Sequence, residues 1–573
     1  MLKKKIKERG WHKYTNYVIE GFGLTVEAKY VVEESKGFLT SWKLVGQTRT
    51  YRGDSVSSLI DAFNLLIKEY DLKRESENTK DTILIFTDNS LKVYGFLQKY
   101  VTDSFGDYYD QYLEFIEVRN CWRDDKETAE EIADWAQAMI DNVFVPYNYF
   151  HITPNQVLRR LMRNACRKEK NEIAKLIFPD TYSMWKFHRK ALFGGICYCP
   201  YGHIYDKCGN ITTKAKVILD KLMCLDIKSA YIWCLLVMKH CMSASKEVDV
   251  AHWEYYLDSA EKGSIGTYVI TFSYWSSKIK CFKDKYGNKI ENEGRQTLEF
   301  IFDNVDLKTF IELVNPEKVE CTYLLEYDMD YLPKYARDNL VKAFIDKEEA
   351  KDLDDLMRKI KKIMANGGYG DTIRRLHSRD EWKDEKDSTI LAPQWGIWTC
   401  GYCKRLLLSL ALLVDLWVYS DTDSIYCAYN EHNLELLEET NNKIRVMTKE
   451  FCERFGYDYE KLKDLGTFKI EHIITKFKAN KPKQYMFVDD QGKMYVKAAG
   501  CNKNSIPMND KLFDEDKIHV GKRTFADVYP DHIEADIDGV HYEADGYYFE
   551  WSLYDEKAEA YMELQALLYS DDT

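Results

Sequence analysis

Three aspartates have the type and spacing to hold divalent cations. Asp226 closes the apolar run Leu222-Met-Cys-Leu-Asp226, and Asp421 and Asp423 sit together in Tyr419-Ser-Asp-Thr-Asp-Ser-Ile-Tyr426. Carboxylates are the hard oxygen ligands that magnesium prefers, one or two of them being usual where substrate phosphates complete the shell. Nucleotidyl transfer needs two such ions, one to activate a 3′ hydroxyl and one to neutralise a triphosphate. The ligands must stand on rigid strands, because in-line attack tolerates little misplacement. Residues two apart on a strand share a face, and a tight turn relaxes that parity, so one of Asp421 and Asp423 binds metal while the other supports it. The plain alternative is a turn or cap residue. The apolar strands flanking both clusters favour chemistry.

A second constellation lies between them. Lys362, Asn366 and Tyr369 share one face of a helix. A lysine is a point charge for a triphosphate, and a tyrosine is a flat platform for a base. Lys351 and Arg358 add positive charge nearby, with a solvated basic helix as the alternative.

The order of these segments carries a resemblance. Asp226-x-x-Ser229-x-Tyr231, Lys362-x-x-x-Asn366-x-x-Tyr369-Gly370 and Tyr419-Ser-Asp-Thr-Asp-Ser424 resemble motifs A, B and C of the protein-primed family B DNA polymerases of small phages. Lys481-Pro-Lys483-Gln-Tyr485 resembles their Lys-x-Tyr motif, with Lys497 downstream. Leu192-Phe-Gly194-Gly195 is similar to their Tyr-x-Gly-Gly segment, without the tyrosine. The resemblance implies that Asp226, Asp423 and the Ile227 carbonyl bind the metals, with Asp421 alongside. It places Ser229, Tyr231, Lys351, Arg358, Lys362, Asn366 and Tyr369 around the nucleotide, Tyr231 excluding a 2′ hydroxyl. Lys483, Tyr485, Gly194, Gly195 and Lys497 fall on primer and template. The chain departs from the pattern at Asn366-Gly367, where Asn-Ser is usual, with a second glycine at Gly368, and at Ile232, where proline is usual. Adjacent glycines are expected to loosen the end of the motif B helix by about 1 kcal/mol each relative to alanine.

The implied fold is α+β and multidomain, a right-handed palm, fingers and thumb behind an N-terminal RNase H-like exonuclease-type domain. The expected divisions are 1–190 exonuclease-like, 191–240 palm with motif A, 241–337 an insertion of the kind that meets a terminal protein, 338–376 fingers, 377–504 palm with motif C and Lys-x-Tyr, and 505–573 an acidic, thumb-like end. A second insertion, between Gly370 and Ala392, looks short, which would weaken strand displacement and processivity. Proofreading looks degenerate. Tyr94 stands where the second exonuclease motif has aspartate, the early strand around Val26-Glu27-Ala28 offers one carboxylate, and Ala138 replaces a third, leaving Asp88 and Asp134 as candidates. A neutral phenol is no substitute for a carboxylate on magnesium.

Along the chain, Ile83–Phe86 reads as a strand, Val56–Tyr70 and Glu127–Ile140 as helices, Pro154–Ile177 as basic helix, Lys342–Met364 as one long charged helix and Ile397–Leu416 as an apolar one. Leu416–Tyr429 reads as a hairpin with its turn at Ser420–Asp423. Cys197, Cys199, His203 and Cys208 are close enough to suggest zinc, but their spacing fits the usual knuckle poorly, and buried or hairpin cysteines are the expectation.

The chain has 573 residues, 45% of them hydrophobic and 31% charged, as expected of a soluble multidomain protein. The net charge is −13, but residues 505–573 hold all of it, so the remainder is neutral and free to carry a basic channel. No apolar run approaches a transmembrane span, no signal peptide opens the chain, and the 15 cysteines read as reduced cytoplasmic thiols. The expected partners are DNA template and primer, dNTPs and a terminal protein, the cofactor two Mg2+ with Mn2+ as substitute, and the state a monomer without membrane contact. Two rivals stand: an RNA-templated palm polymerase, which would pair adjacent aspartates, and a catalytically silent DNA-binding replication protein.

Overall fold

The computed structural model describes residues 4–7, 15–31, 36–70, 74–76, 79–87, 113–117, 128–140, 154–205, 211–273, 277–290, 294–350, 355–374, 376, 378–498, 510–514, 532–537 and 540–545. Its N-terminal layer is a mixed sheet. Thr50–Gly53, Lys36–Val45 and Thr15–Val31 form an antiparallel meander; Thr79–Thr87 then joins Thr15–Val31 in parallel, and Leu113–Glu117 joins Thr79–Thr87 in parallel. The parallel pairing requires a crossover, which the helix Val56–Glu69 supplies. Ser55 caps that helix by accepting from the Ser58 amide, and Thr128 with Glu131 makes a capping box at the start of Ala129–Met139. Phe22, Leu24, Leu44, Phe63, Ile83 and Ile132 fill the core between sheet and helices.

The sheet that carries the three aspartates is antiparallel and assembled from distant parts of the chain. Its strand order is Met494–Ala498, Gln484–Asp489, Phe468–Lys481, Leu222–Ile227, Ser424–Ala428, Tyr419–Asp421, Cys197–Tyr198. Leu222–Ile227 lies inside the sheet, so five of its six residues are buried and its sequence is apolar throughout, with Asp226 as the exception. Behind it pack the helices Ala230–Val237, Lys334–Glu349, Asp355–Thr372, Pro393–Ala411 and Glu431–Phe455, around a core that includes Trp233, Tyr335, Trp395 and Trp398.

Between Leu222–Ile227 and those later helices the chain builds a separate sheet, Arg295–Asp303, Lys262–Ser273 and Lys318–Asp330, covered by the helix Asn304–Val314. Tyr268, Phe272, Phe300, Phe302 and Phe310 give this layer a core of its own.

Two helix readings need correction. Lys342–Met364 is not one helix: Lys334–Glu349 ends at Ala350, and Asp355–Thr372 begins after it. The second helix runs unbroken through Gly367 and Gly368 instead of loosening there. A Cβ on Gly368 would lie 2.8 Å from Leu340 Cδ2 and 3.1 Å from Leu158 Cδ2, so glycine is what lets Lys334–Glu349 and Pro154–Glu169 press against this helix. The stretch between Gly370 and Ala392 holds one capped helix, Arg379–Ser388. Glu385 ties that helix back to Arg159 and Arg374, at 2.6 Å each. Among the described residues every cysteine is a free thiol, and no helix is long and apolar enough to cross a membrane.

Candidate active site

The hairpin Tyr419–Asp421/Ser424–Ala428 pairs Asp421 with Ser424, which leaves Thr422 and Asp423 as its two-residue loop, a narrower turn than the four residues expected. Thr422 has φ +62°, a left-handed conformation disfavoured for a β-branched residue. The turn is held from outside: the Thr422 amide donates to the Ile196 carbonyl at 2.9 Å. A Cβ on Gly195 would lie 2.7 Å from Thr422 Cα, so this close approach admits only glycine, whereas Gly194 is open to solvent. On the other side, Ser424 pairs with Asp226, and the Ile227 amide donates to the Asp423 carbonyl at 2.9 Å. Motif A and motif C residues are thus neighbours across one strand boundary.

Glu471, which the sequence reading missed, joins them. It is the extra residue of a β-bulge, since Cys224 faces His472 and Leu225 faces Ile470 across the strands. Burial, the Asp423 charge and the Glu471 charge push Asp226 up to about 8, against the pull of Lys362 and Lys347. Burial, with Asp421 and Glu471, pushes Asp423 up to about 6. Both carboxylates are half-buried among other acidic groups, which disfavours their charged forms, and their oxygens are of the donor type magnesium takes. Among the described residues no group of three His, Cys, Asp or Glu side chains is placed to hold a metal ion. Asp421 is held from the edge of the sheet: its Oδ1 accepts from Cys197 Sγ at 3.2 Å and from Thr422 Oγ1 at 3.1 Å.

The nucleotide candidates converge in part. Tyr231 and Tyr369 stack, ring centroids 3.9 Å apart and planes 15° from parallel, and the Tyr369 hydroxyl lies 2.7 Å from Cys400 Sγ. Lys362 and Asn366 are exposed on the same helix, and the Lys362 charge reaches both Asp226 and Asp423. Lys351 lies outside the described residues, as does the side chain of Arg358. Ser229, at φ +54°, accepts from Lys347 Nζ at 2.6 Å, while Lys228 pairs with Glu348 at 2.7 Å. Lys347 was also missed: no local pattern links it to motif A, and only packing brings its helix there.

Lys483 occupies the tip of the hairpin Phe468–Lys481/Gln484–Asp489, after Pro482, at φ +62°. Proline followed by a left-handed residue is a type II turn, and the Lys483 amide is fixed by the Tyr419 hydroxyl at 2.8 Å. Its side chain is exposed, as is that of Lys497. Tyr485, expected against a primer sugar, is instead largely core: it is 8% exposed, packs on Tyr419 and accepts from the Tyr426 hydroxyl at 3.0 Å. Among the described residues the zinc pattern does not close either. Cys197 serves Asp421, Cys199 Sγ lies 3.9 Å from the Ala479 carbonyl, His203 accepts from the Ala215 amide at 2.9 Å, and Cys208 is outside the described residues. Tyr94 and Asp88 also lie outside them; Asp134 is exposed on Ala129–Met139, and Glu27 falls on the strand Thr15–Val31.

A mixed α/β chain with an antiparallel sheet presenting carboxylates from a strand end and an adjoining hairpin has a fold similar to that of family B DNA polymerases. The particular likeness is to phi29 DNA polymerase. Its complex with primer-template DNA and incoming nucleotide substrates superposes with a TM-score of 0.57 at 13% identity, covering 92% of this chain and 99% of that one. Its binary complex with primer-template DNA gives 0.54 at 16% identity, over 86% and 93%. At such identities the likeness is one of fold. No family model matches the sequence, and no curated protein matches it.

Proposed function

We propose that this chain is a template-directed DNA polymerase, adding dNTPs to a primer 3′ hydroxyl by two-metal nucleotidyl transfer. The observation that carries the reading is the placement of Asp226 beside Asp423, joined by the Ile227–Asp423 backbone bond at 2.9 Å. Its support is the fold shared with a polymerase whose structure holds primer-template DNA and nucleotides. In this reading the central antiparallel sheet is the palm, the helix Asp355–Thr372 belongs to the fingers, and the N-terminal mixed sheet is exonuclease-like.

Asp226, Asp423 and the Ile227 carbonyl would hold the magnesium ions, which supply charge neutralisation of the triphosphate and activation of the 3′ hydroxyl. The chain's own groups do the positioning. Lys362 on its helix meets the triphosphate as a point charge. Tyr231, propped by its stack on Tyr369, closes the sugar side against a 2′ hydroxyl. Lys483, held at its turn by Tyr419, meets the phosphate at the primer end, and Lys497 flanks it. Residues 241–337 form the surface offered to a protein primer. The N-terminal domain lacks 3′–5′ exonuclease activity in this reading, so a labelled, unpaired 3′ end should persist through incubation with magnesium.

Incubation with a primed DNA template, dNTPs and magnesium should extend the primer. Asp226→Asn and Asp423→Asn should each reduce the rate by at least about a thousandfold while the protein still binds the template. Extension on an RNA template but not on DNA would transfer the assignment to an RNA-templated enzyme. A wild-type chain that binds the primed template but extends nothing would leave a silent replication protein.

A further inference from the structure

Cys197 entered as part of a poor zinc pattern, and the proposed chemistry gives it no task. Its surroundings do. The segment Gly195–Cys197 touches the catalytic turn at successive points: Gly195 against Thr422 Cα, the Ile196 carbonyl on the Thr422 amide, and Cys197 paired across the strands with Asp421. Cys197 Sγ donates to Asp421 Oδ1 at 3.2 Å, the same oxygen that takes Thr422 Oγ1 at 3.1 Å. Two donors on one oxygen fix a carboxylate in direction as well as in place. The Cys197 thiol feels both Asp421 and Lys483, Asp226 feels Asp423, Glu471, Lys362 and Lys347, and Asp423 between them feels Asp421 as well as Glu471.

We infer that Cys197 is a positioning residue: its thiol turns the Asp421 carboxylate toward the Lys483 side of the site, leaving Asp226 and Asp423 as the carboxylates available to metal. This deepens the polymerase reading and rests on it. The two aspartates of one motif then divide the work, one at the metals and one toward the primer end, and the edge strand decides which. Cys199 supplies the internal comparison. It lies two residues on along the same edge, it is also half-buried, and among the described residues its thiol is hydrogen-bonded to the Ala479 carbonyl, at 3.9 Å, rather than to a carboxylate.

The experiment is single-nucleotide addition on a primed DNA template, with Cys197→Ala, Cys197→Ser and Cys199→Ala. Cys197→Ala, which removes the donor, should lower kcat about tenfold with KM for dNTP within about twofold, the loss expected for one hydrogen bond to a charged group. Cys197→Ser, which keeps a donor, should recover to within about threefold of wild type, and Cys199→Ala should match wild type. Equal activity of Cys197→Ala and wild type overturns the proposal. So does a serine variant as slow as the alanine one, because packing would then be the cause. The bond has a second readout that needs no substrate: the S–H stretching band lost in Cys197→Ser should lie at the low frequency of a bonded thiol and rise in Asp421→Ala. A band indifferent to Asp421→Ala overturns the contact itself. A wild type that extends no primer removes the polymerase reading, and the infrared band still decides the hydrogen bond.

Discussion

Asp421 and Asp423 stand two residues apart in one hairpin and meet different surroundings. Asp423 sits in the loop, pushed up to about 6 by burial beside its acidic neighbours, whereas Asp421 is held by a thiol and a hydroxyl on the edge side. Spacing alone would have put both on one face; the two-residue turn separates them. The Tyr231–Tyr369 pair is the other residue-scale device, a stack whose second ring is fixed through Cys400. Tyr231→Val should remove the wall under the sugar. Comparison of kcat/KM for dNTP and rNTP should show discrimination falling by at least about tenfold. Unchanged discrimination would make Tyr231 a packing residue only.

At the scale of elements, the turn at Thr422 depends on how closely Gly195 approaches it. Gly195→Ala must displace one or the other, since its Cβ would lie 2.7 Å from Thr422 Cα and 2.8 Å from Thr422 Cγ2. A shift of that kind should cost about a hundredfold in kcat with little change in melting temperature, and the two measurements together separate misplacement from unfolding. Two buried histidines join elements more quietly. His188 links Met184 to the Tyr327 hydroxyl, at 2.7 and 2.5 Å, and His240 links Met238 to Thr399 on the helix Pro393–Ala411, at 3.0 Å each. Burial pushes them down to about 4 and about 3, from an ordinary value of 6.5. The unfolded chain therefore takes up these protons first. Their contribution to stability is whole above pH 6.5 and is lost as pH falls toward 4, on the order of 3 kcal/mol for each ring. Denaturation midpoints measured across that range should fall steeply, and His188→Asn or His240→Asn should flatten the slope while lowering the midpoint at neutral pH.

For the whole molecule, one buried ion pair ties the helix Asn304–Val314 to the helix Pro393–Ala411 and to the segment before Gly194. Lys404 on the helix Pro393–Ala411 pairs with Asp306 at 3.1 Å, and its amine also reaches the Phe193 carbonyl, just before Gly194, at 3.3 Å. Lys404 is 1% exposed and Asp306 fully buried, with Asp303, pushed well up by burial and by the Asp306 charge, as their neighbour. Lys404→Met would strand Asp306 and should destabilise the fold by about 3–5 kcal/mol, with Asp306→Leu added to it restoring part of the loss. Urea midpoints of the single and double variants test this. Much was legible before any coordinates. The apolar strand ending in Asp226, the hairpin around Asp421 and Asp423, and the one-sided helix with Lys362, Asn366 and Tyr369 are periodic or punctuated patterns, which local sterics and burial write directly into the chain. Other features were not legible, because they exist only where distant segments meet: Glu471 at its bulge, Lys347 on Ser229, the core position of Tyr485, the close packing that needs Gly368, and the thiol on Asp421. Local sequence set which elements form and which side chains they carry; which of those side chains face one another was decided by strand pairing and helix packing between parts of the chain that no short-range pattern relates.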